Sequence, residues 1–268
     1  MTRPDHLPEF TNPPLNEVVL GVQFAPVPGY KPVHAAKIWG LFEREFPEVQ
    51  EKSLLDSQYE TFGGANVQSG PKISFGEPPL GSRLWFLSKD GNNLLQFQPN
   101  RFIANWRKQA ENSPPYPRFE GIAEGFENNL AKLASHFAAD FGYDLDIDQA
   151  KITYVNIIPV DHFSEIGEWL RILNGCLFDI EGVNAGFSEV IKDGADTPFA
   201  RLRHEIDSIY SADGKHKAFR LNLAFMGKPA GNNIASAMAF LAAGRQAIVT
   251  RFCDITTEKA HKFWEKQK

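Results

Sequence analysis

The residues in this chain best suited to chemistry alternate with apolar ones. In RLWFLSKDGNNLLQFQPNRFIANWR (83–107), Gln96 and Gln98 alternate with Leu95 and Phe97, and Asn105 and Arg107 with Phe102, Ala104 and Trp106. A strand turns successive side chains to opposite faces, so the spacing predicts one apolar face and one of amides and guanidiniums. The same pattern recurs in RLRHEID, where Arg201, Arg203, Glu205 and Asp207 alternate with Leu202, His204 and Ile206. It recurs again where Arg220 and Asn222 alternate with Leu221 and Leu223, and Asn156 stands inside an otherwise apolar strand. Guanidinium offers a planar fork of donors that fits carboxylate or phosphate, and a side-chain amide both donates and accepts. Gathered on one sheet surface, Gln96, Gln98, Asn105, Arg107, Asn156, Arg201, Arg203, Arg220 and Asn222 would hold a protein partner or a small anionic ligand. The competing reading is the solvated face of an antiparallel sheet, carrying cross-strand Arg–Glu pairs.

Other chemistries find weaker footing. Basic residues with interleaved aromatics (Arg101, Arg107 and Lys108 with Phe102 and Trp106; Lys215, Lys217 and Arg220 with Phe219) raise the question of nucleic acid. The aromatics Phe102 and Trp106 share the face opposite Arg107, and the net charge of −5 also disfavours a phosphate backbone. Asp144, Asp146 and Asp148 lack the glycine and terminal glutamate of a calcium loop, so they read as a solvated acidic turn. The seven histidines show no metal-ligand spacing, and His204 and Glu205, adjacent in a strand, point to opposite faces. No G-x-S-x-G, Walker or G-x-G-x-x-G motif occurs. No catalytic residue, metal site or cofactor is therefore assigned, and an enzyme acting on nucleotides or nucleic acid is kept as the alternative function.

The elements that must position these residues follow from periodicity. A first strand is expected over 17–24 after Pro13-Pro14, and a helix over 34–46 ended by Pro47. One or two irregular strands are expected in the Gly/Pro-punctuated 52–79, followed by three strands joined at Asp90-Gly91 and Pro99-Asn100. Phe119, Ile122, Phe126, Leu130, Leu133, Phe137 and Phe141 form a single helical stripe, with Gly142 placed as its C-terminal cap. The order then repeats: a strand over 151–160, a helix over 165–173, strands near 185–191, 200–210 and 218–226, and a long helix carrying Ile234, Met238, Leu241, Ile248 and Phe252. A break at 254–257 precedes a short final helix with His261 and Trp264. The fold expected is α+β: two pseudo-repeated β-α-β(3)-α halves, 1–150 and 151–268, forming one continuous unit. They would build a curved, mainly antiparallel sheet with the long helices on one face.

Composition agrees with a large core, at 43% hydrophobic residues and 22 phenylalanines in 268. Cys176 and Cys253, far apart and without C-x-x-C spacing, read as free thiols in a reducing compartment. The opening MTRPDHLPEFTNPPL has no apolar segment of signal-peptide type, and no run approaches a membrane span. A cytoplasmic protein without membrane contact is expected.

Several phrases carry a family resemblance: NPPLNEVVLGVQF (12–24), LLQFQPNRFIANWR (94–107), YPRFEGIAEGF (116–126), YVNIIP (154–159) and ITTEKAHKFW (255–264). Together they resemble a sporadically distributed, sequence-divergent family of uncharacterised bacterial and archaeal proteins, with the likeness spanning nearly the whole chain. The resemblance implies a full-length cytoplasmic unit and supplies no activity, cofactor or site residue. Sporadic distribution suggests an accessory gene of defence or toxin–antitoxin type. The function expected is a non-catalytic binding or regulatory module working through the polar sheet face.

Overall fold

The structure, a computed structural model, describes residues 3–63, 82–109, 113–175, 179–211 and 213–268. The first portion contains Leu15–Phe24 (β1), Ala35–Gly40 (α1), Glu48–Lys52 (β2), Arg83–Leu87 (β3), Asn93–Gln98 (β4), Arg101–Arg107 (β5) and Arg118–Phe141 (α2). The second contains Ile147–Val160 (β6), Ile166–Trp169 (α3), Asn184–Lys192 (β7), Pro198–Tyr210 (β8), Lys217–Gly227 (β9), Ile234–Ile255 (α4) and Glu258–Phe263 (α5). The nine strands make one sheet in the order β2-β3-β4-β5-β1-β6-β9-β8-β7. Every pairing between these strands is antiparallel. The fold is α+β, and the β1–β6 pair joins the two portions edge to edge.

Alternation sorts the strands as expected. Val18, Leu20 and Val22 of β1, Phe102, Ala104 and Trp106 of β5, Ile152 and Tyr154 of β6, and Leu221, Leu223 and Phe225 of β9 are buried on one face. The two long helices cover that face. On α2, Phe119, Phe126, Leu130, Leu133 and Phe137 are buried, each stabilising the fold by about 1.5–3 kcal/mol, while Ile122 and Phe141 lie at the half-buried margins of the stripe. Gly142 ends the helix in the left-handed conformation, φ 58°, and its N–H returns to the Ala138 carbonyl. Phe126 stacks on Phe102 with ring centroids 6.0 Å apart, and Phe102 on Phe42 at 5.7 Å. On α4, the Asn233 side chain caps the first turn by accepting from the Ser236 N–H. Gly244 lets this helix approach the sheet closely: a Cβ there would lie 2.5 Å from Phe225 and 2.6 Å from Ile152. An Arg245–Glu120 ion pair of 2.9 Å ties α4 to α2.

Some expectations need correction. The helix over 34–46 is helical only through 35–40 and continues as turns. Its apolar residues are held by tertiary contacts instead, with Phe42 in the core and Trp39 Nε1 donating to the Phe46 carbonyl. The helix over 165–173 is interrupted at Leu170, which is extended and forms a β-bridge with Thr256. The expected β-α-β(3)-α pattern fits the second portion only. In the first, 48–52 forms an additional edge strand, so among the described residues the two portions share an order of connection but not a strand count. The strands expected within 52–79 fall largely on 64–81, outside the described residues, as does Cys176. Cys253 is a free thiol. Thr256 and Thr257 make the expected break, and the Thr257 hydroxyl caps α5. Among the described residues no helix is long and apolar enough to cross a membrane.

Candidate functional site

On the sheet face away from α2 and α4, residues line up in rows across the strands. One row runs Gln98 (β4), Arg101 (β5), Gln23 (β1) and Gln149 (β6). It seats an extended strap, residues 53–62, that crosses this face. The Gln98 amide bonds the strap's backbone at both ends of one residue, accepting from the Leu55 N–H and donating to the Leu55 carbonyl, each at 3.0 Å. Gln23 Oε1 accepts from the Gln58 N–H at 3.0 Å, and Gln149 Oε1 from the Glu60 N–H at 3.4 Å. Arg101 donates to the Asp56 carbonyl at 2.8 Å. Side-chain amides thus do for the strap what a neighbouring strand would do, and the backbone it would otherwise strand is satisfied. Farther along, Arg201 Nε donates to Glu60 Oε2 at 2.9 Å and its terminal nitrogen to the Thr61 carbonyl. Arg203 pairs with the other Glu60 oxygen.

Between strap and sheet lies a cavity of about 310 Å³. Its floor contains the row Gln96 (β4), Ile103 (β5), Gly21 (β1), Lys151 (β6) and Met226 (β9). Gly21 keeps the middle of that floor open, because an added Cβ would sit 3.1 Å from the Ile103 side chain. Leu55 and Gln58 contribute from the strap. Arg83, Arg101 and Lys151 all line the cavity, and among the described residues its lining contains no carboxylate. Arg83 donates to Gln96 Oε1 at 2.9 Å, but its buried Nε has no partner. Arg101 donates to Gln23 Oε1 at 2.6 Å. Lys151 has no hydrogen-bond or ion-pair partner among the described residues.

The electrostatics follow from that imbalance. Burial pushes the Lys151 pKa below the usual lysine value, and the Arg203 and Arg101 charges add to the shift against the opposing pull of Glu205 and Glu60. Burial lowers Arg83 and Arg101 as well; Arg83 repels Arg101, while Asp148 and Asp56 pull the other way. The nearby acids offset the desolvation of these positive charges only in part.

The residues predicted from sequence do not form a single cluster. Gln96 lines the cavity and donates to Asn105 Oδ1 at 2.8 Å, and Asn105 in turn donates to Glu17 at 2.6 Å. Gln98 belongs to the strap seat. Arg107 lies opposite Glu17, and its Nε donates to the Gly91 carbonyl at 2.9 Å. It sits four strand spacings from Arg203, roughly 19 Å. Arg201 and Arg203 are engaged by Glu60, Arg220 pairs with Asp207 at 2.8 Å, and Asn222 donates to Glu205 at 3.3 Å. Asn156 is a correction. It lies on the helix face, is buried, and donates to the Leu221 carbonyl at 3.2 Å. Arg101 belongs to the basic cluster weighed from sequence for nucleic acid, and Arg83, Lys151, Gln23 and Gln149 are not among the candidates predicted there. The signal for them was the alternation of Gln149, Lys151 and Thr153 and the lone glycine in the first strand.

The helix side has polar groups of its own. The Tyr116 and Tyr154 hydroxyls meet at 3.1 Å beside Arg245, and burial pushes the Tyr154 pKa up to about 12. His204, fully buried, bonds Glu189 through Nε2 at 2.8 Å, and Arg251 holds the same carboxylate. The His204 ring stacks on Phe187 at 4.1 Å. No protein-family model matches the chain, and no curated protein matches it.

Proposed function

We propose that this protein is a binding module for a small anion, held on the polar sheet face in the cavity beneath the strap. The observation that carries this reading is the set of three cationic side chains, Arg83, Arg101 and Lys151, around an open volume with no acid among its described lining residues. Two guanidiniums supply directed donors for a carboxylate or phosphate, and the ammonium supplies a mobile point charge. Gln96, Gln149 and Thr153 add neutral polar groups, while Val19, Ile103 and Met226 give an apolar wall of the kind that small-molecule sites commonly have. A protein partner docking on the outer strands is the weaker reading, because Arg201, Arg203, Arg220 and Asn222 already have partners within the chain.

Calorimetric titration with inorganic phosphate, pyruvate and citrate, at constant ionic strength, tests this. At least one anion should bind, with a loss of tenfold or more in Arg101→Gln and Arg83→Gln, about the worth of one charged hydrogen bond. No binding of any of the three would refute the reading.

A further inference from the structure

The cavity contains one group that anion binding alone does not explain. An arginine would serve a bound carboxylate or phosphate better than the amine at position 151, because it is always charged and forms two bonds in a fixed plane. Lys151 is the lining cation that can give up its proton, and the surroundings favour that. It is desolvated, Arg101 and Arg203 repel its charge, and Glu205 and Glu60, the acids that act on it in the other direction, are outweighed. Glu60 is itself taken up by Arg201 and Arg203, and Glu205 accepts from Asn222. A lowered pKa raises the share of neutral amine, which is the nucleophilic form. Gly21, its register partner on β1, leaves space on one side of it, and Thr153 lines the same cavity from the same face of β6.

Resting on the anion-binding reading, we propose that Lys151 forms a Schiff base with a small carboxylate that carries a ketone or aldehyde, that is, a 2-oxo acid. Arg83 and Arg101 hold the carboxylate, which places the adjacent carbonyl carbon toward the amine. The neutral amine attacks that carbon. A C–N bond forms, and the carbonyl π electrons move to oxygen, which takes up a proton as the nitrogen releases one. The carbinolamine hydroxyl then takes a proton from solvent and leaves as water, giving the protonated imine. The balance is neutral amine, carbonyl and one proton giving protonated imine plus water, with no change of oxidation state. The imine's positive charge is matched by the bound carboxylate.

The test is reductive trapping with pyruvate. Protein is incubated with pyruvate and sodium cyanoborohydride, and the modified lysine is found by peptide mass mapping. The expected result is a carboxyethyl adduct on Lys151, approaching one per chain at pyruvate concentrations that leave Lys215 and Lys262 unmodified. Lys151→Arg should abolish the adduct, and Arg101→Gln should weaken both pyruvate binding and labelling by tenfold or more. Pyruvate binding that is sensitive to Arg101→Gln, without preferential labelling of Lys151, overturns the Schiff base and leaves the anion site standing. No pyruvate binding and no labelling of Lys151 overturns the Schiff base, and if phosphate and citrate also fail to bind, the anion site falls with it.

Discussion

The polar face carries two sets of cations that the sequence does not tell apart. Arg201, Arg203 and Arg220, on the outer strands of the second portion, each meet a carboxylate. Arg83, Arg101 and Lys151, around the central cavity, share a lining without one among the described residues. The first set holds the molecule together: Glu60, its side chain only 3% exposed, would be a buried orphan without Arg201 and Arg203. The second set costs stability in the empty protein, and a bound anion would recover that loss. Arginine occurs in both sets, so residue type alone does not separate a structural charge from one available to a ligand; the location of the nearest acid does.

Substitutions sharpen this contrast, beginning with the largest effect. Arg201→Ala should lower unfolding free energy by about 3 kcal/mol in urea denaturation, because it leaves Glu60 buried with one partner fewer. The strap amides of 53–62 should then exchange faster with deuterium, and an unchanged midpoint would show that the pair is not structural. Lys151→Met should act in the opposite sense and raise stability by about 1 kcal/mol, since it removes a desolvated amine that has no partner. Destabilisation by that substitution would erase the distinction between the two sets.

A pH titration probes a buried group on the other face. Burial, set against the pull of Glu189, holds the His204 pKa below its ordinary value. His204 Nε2 is engaged by Glu189 while the buried Nδ1 has no partner, so protonation would create an N–H with nothing to accept it. The unfolded chain therefore takes up a proton first. The stability this neutral ring contributes is complete above pH about 6.5 and is lost as pH falls toward the depressed folded value. His204→Gln should flatten the decline in stability as pH falls below about 6.5, leaving a residual slope from His261, whose pKa burial also lowers. The smallest effect is expected at Arg220→Ala. Its partner Asp207 is solvent-accessible, and loss of the pair should cost under about 1 kcal/mol.

Much of this architecture was legible because it is written locally. The stripe from Phe119 to Phe137 is visible as spacing, and so is the alternation that turns Gln96 from Leu95. Central strands blur that signal. In KITYVNIIPV, apolar residues occupy both faces, Ile152 and Ile158 on one and Val155 and Ile157 on the other, so alternation did not reveal which way Asn156 points. Short helices yielded to tertiary contacts, as at Leu170, where pairing with Thr256 outweighs continuation of the helix. The division of the cations was not legible at all. Arg201 finds Glu60 across 141 positions of sequence, and the strap that delivers Glu60 has no periodicity to announce it. Lys151 was read as the first residue of a strand, whereas β6 begins at Ile147 and places Lys151 well inside the sheet.

The most direct measurement compares the two sets in one experiment: thermal unfolding with and without millimolar phosphate, at matched ionic strength, for the wild type, Arg220→Gln and Arg101→Gln. The wild type and Arg220→Gln should gain the same rise in Tm, and Arg101→Gln should gain little or none. An equal rise in all three proteins, or none in the wild type, would contradict the assignment of the central cations to an anion.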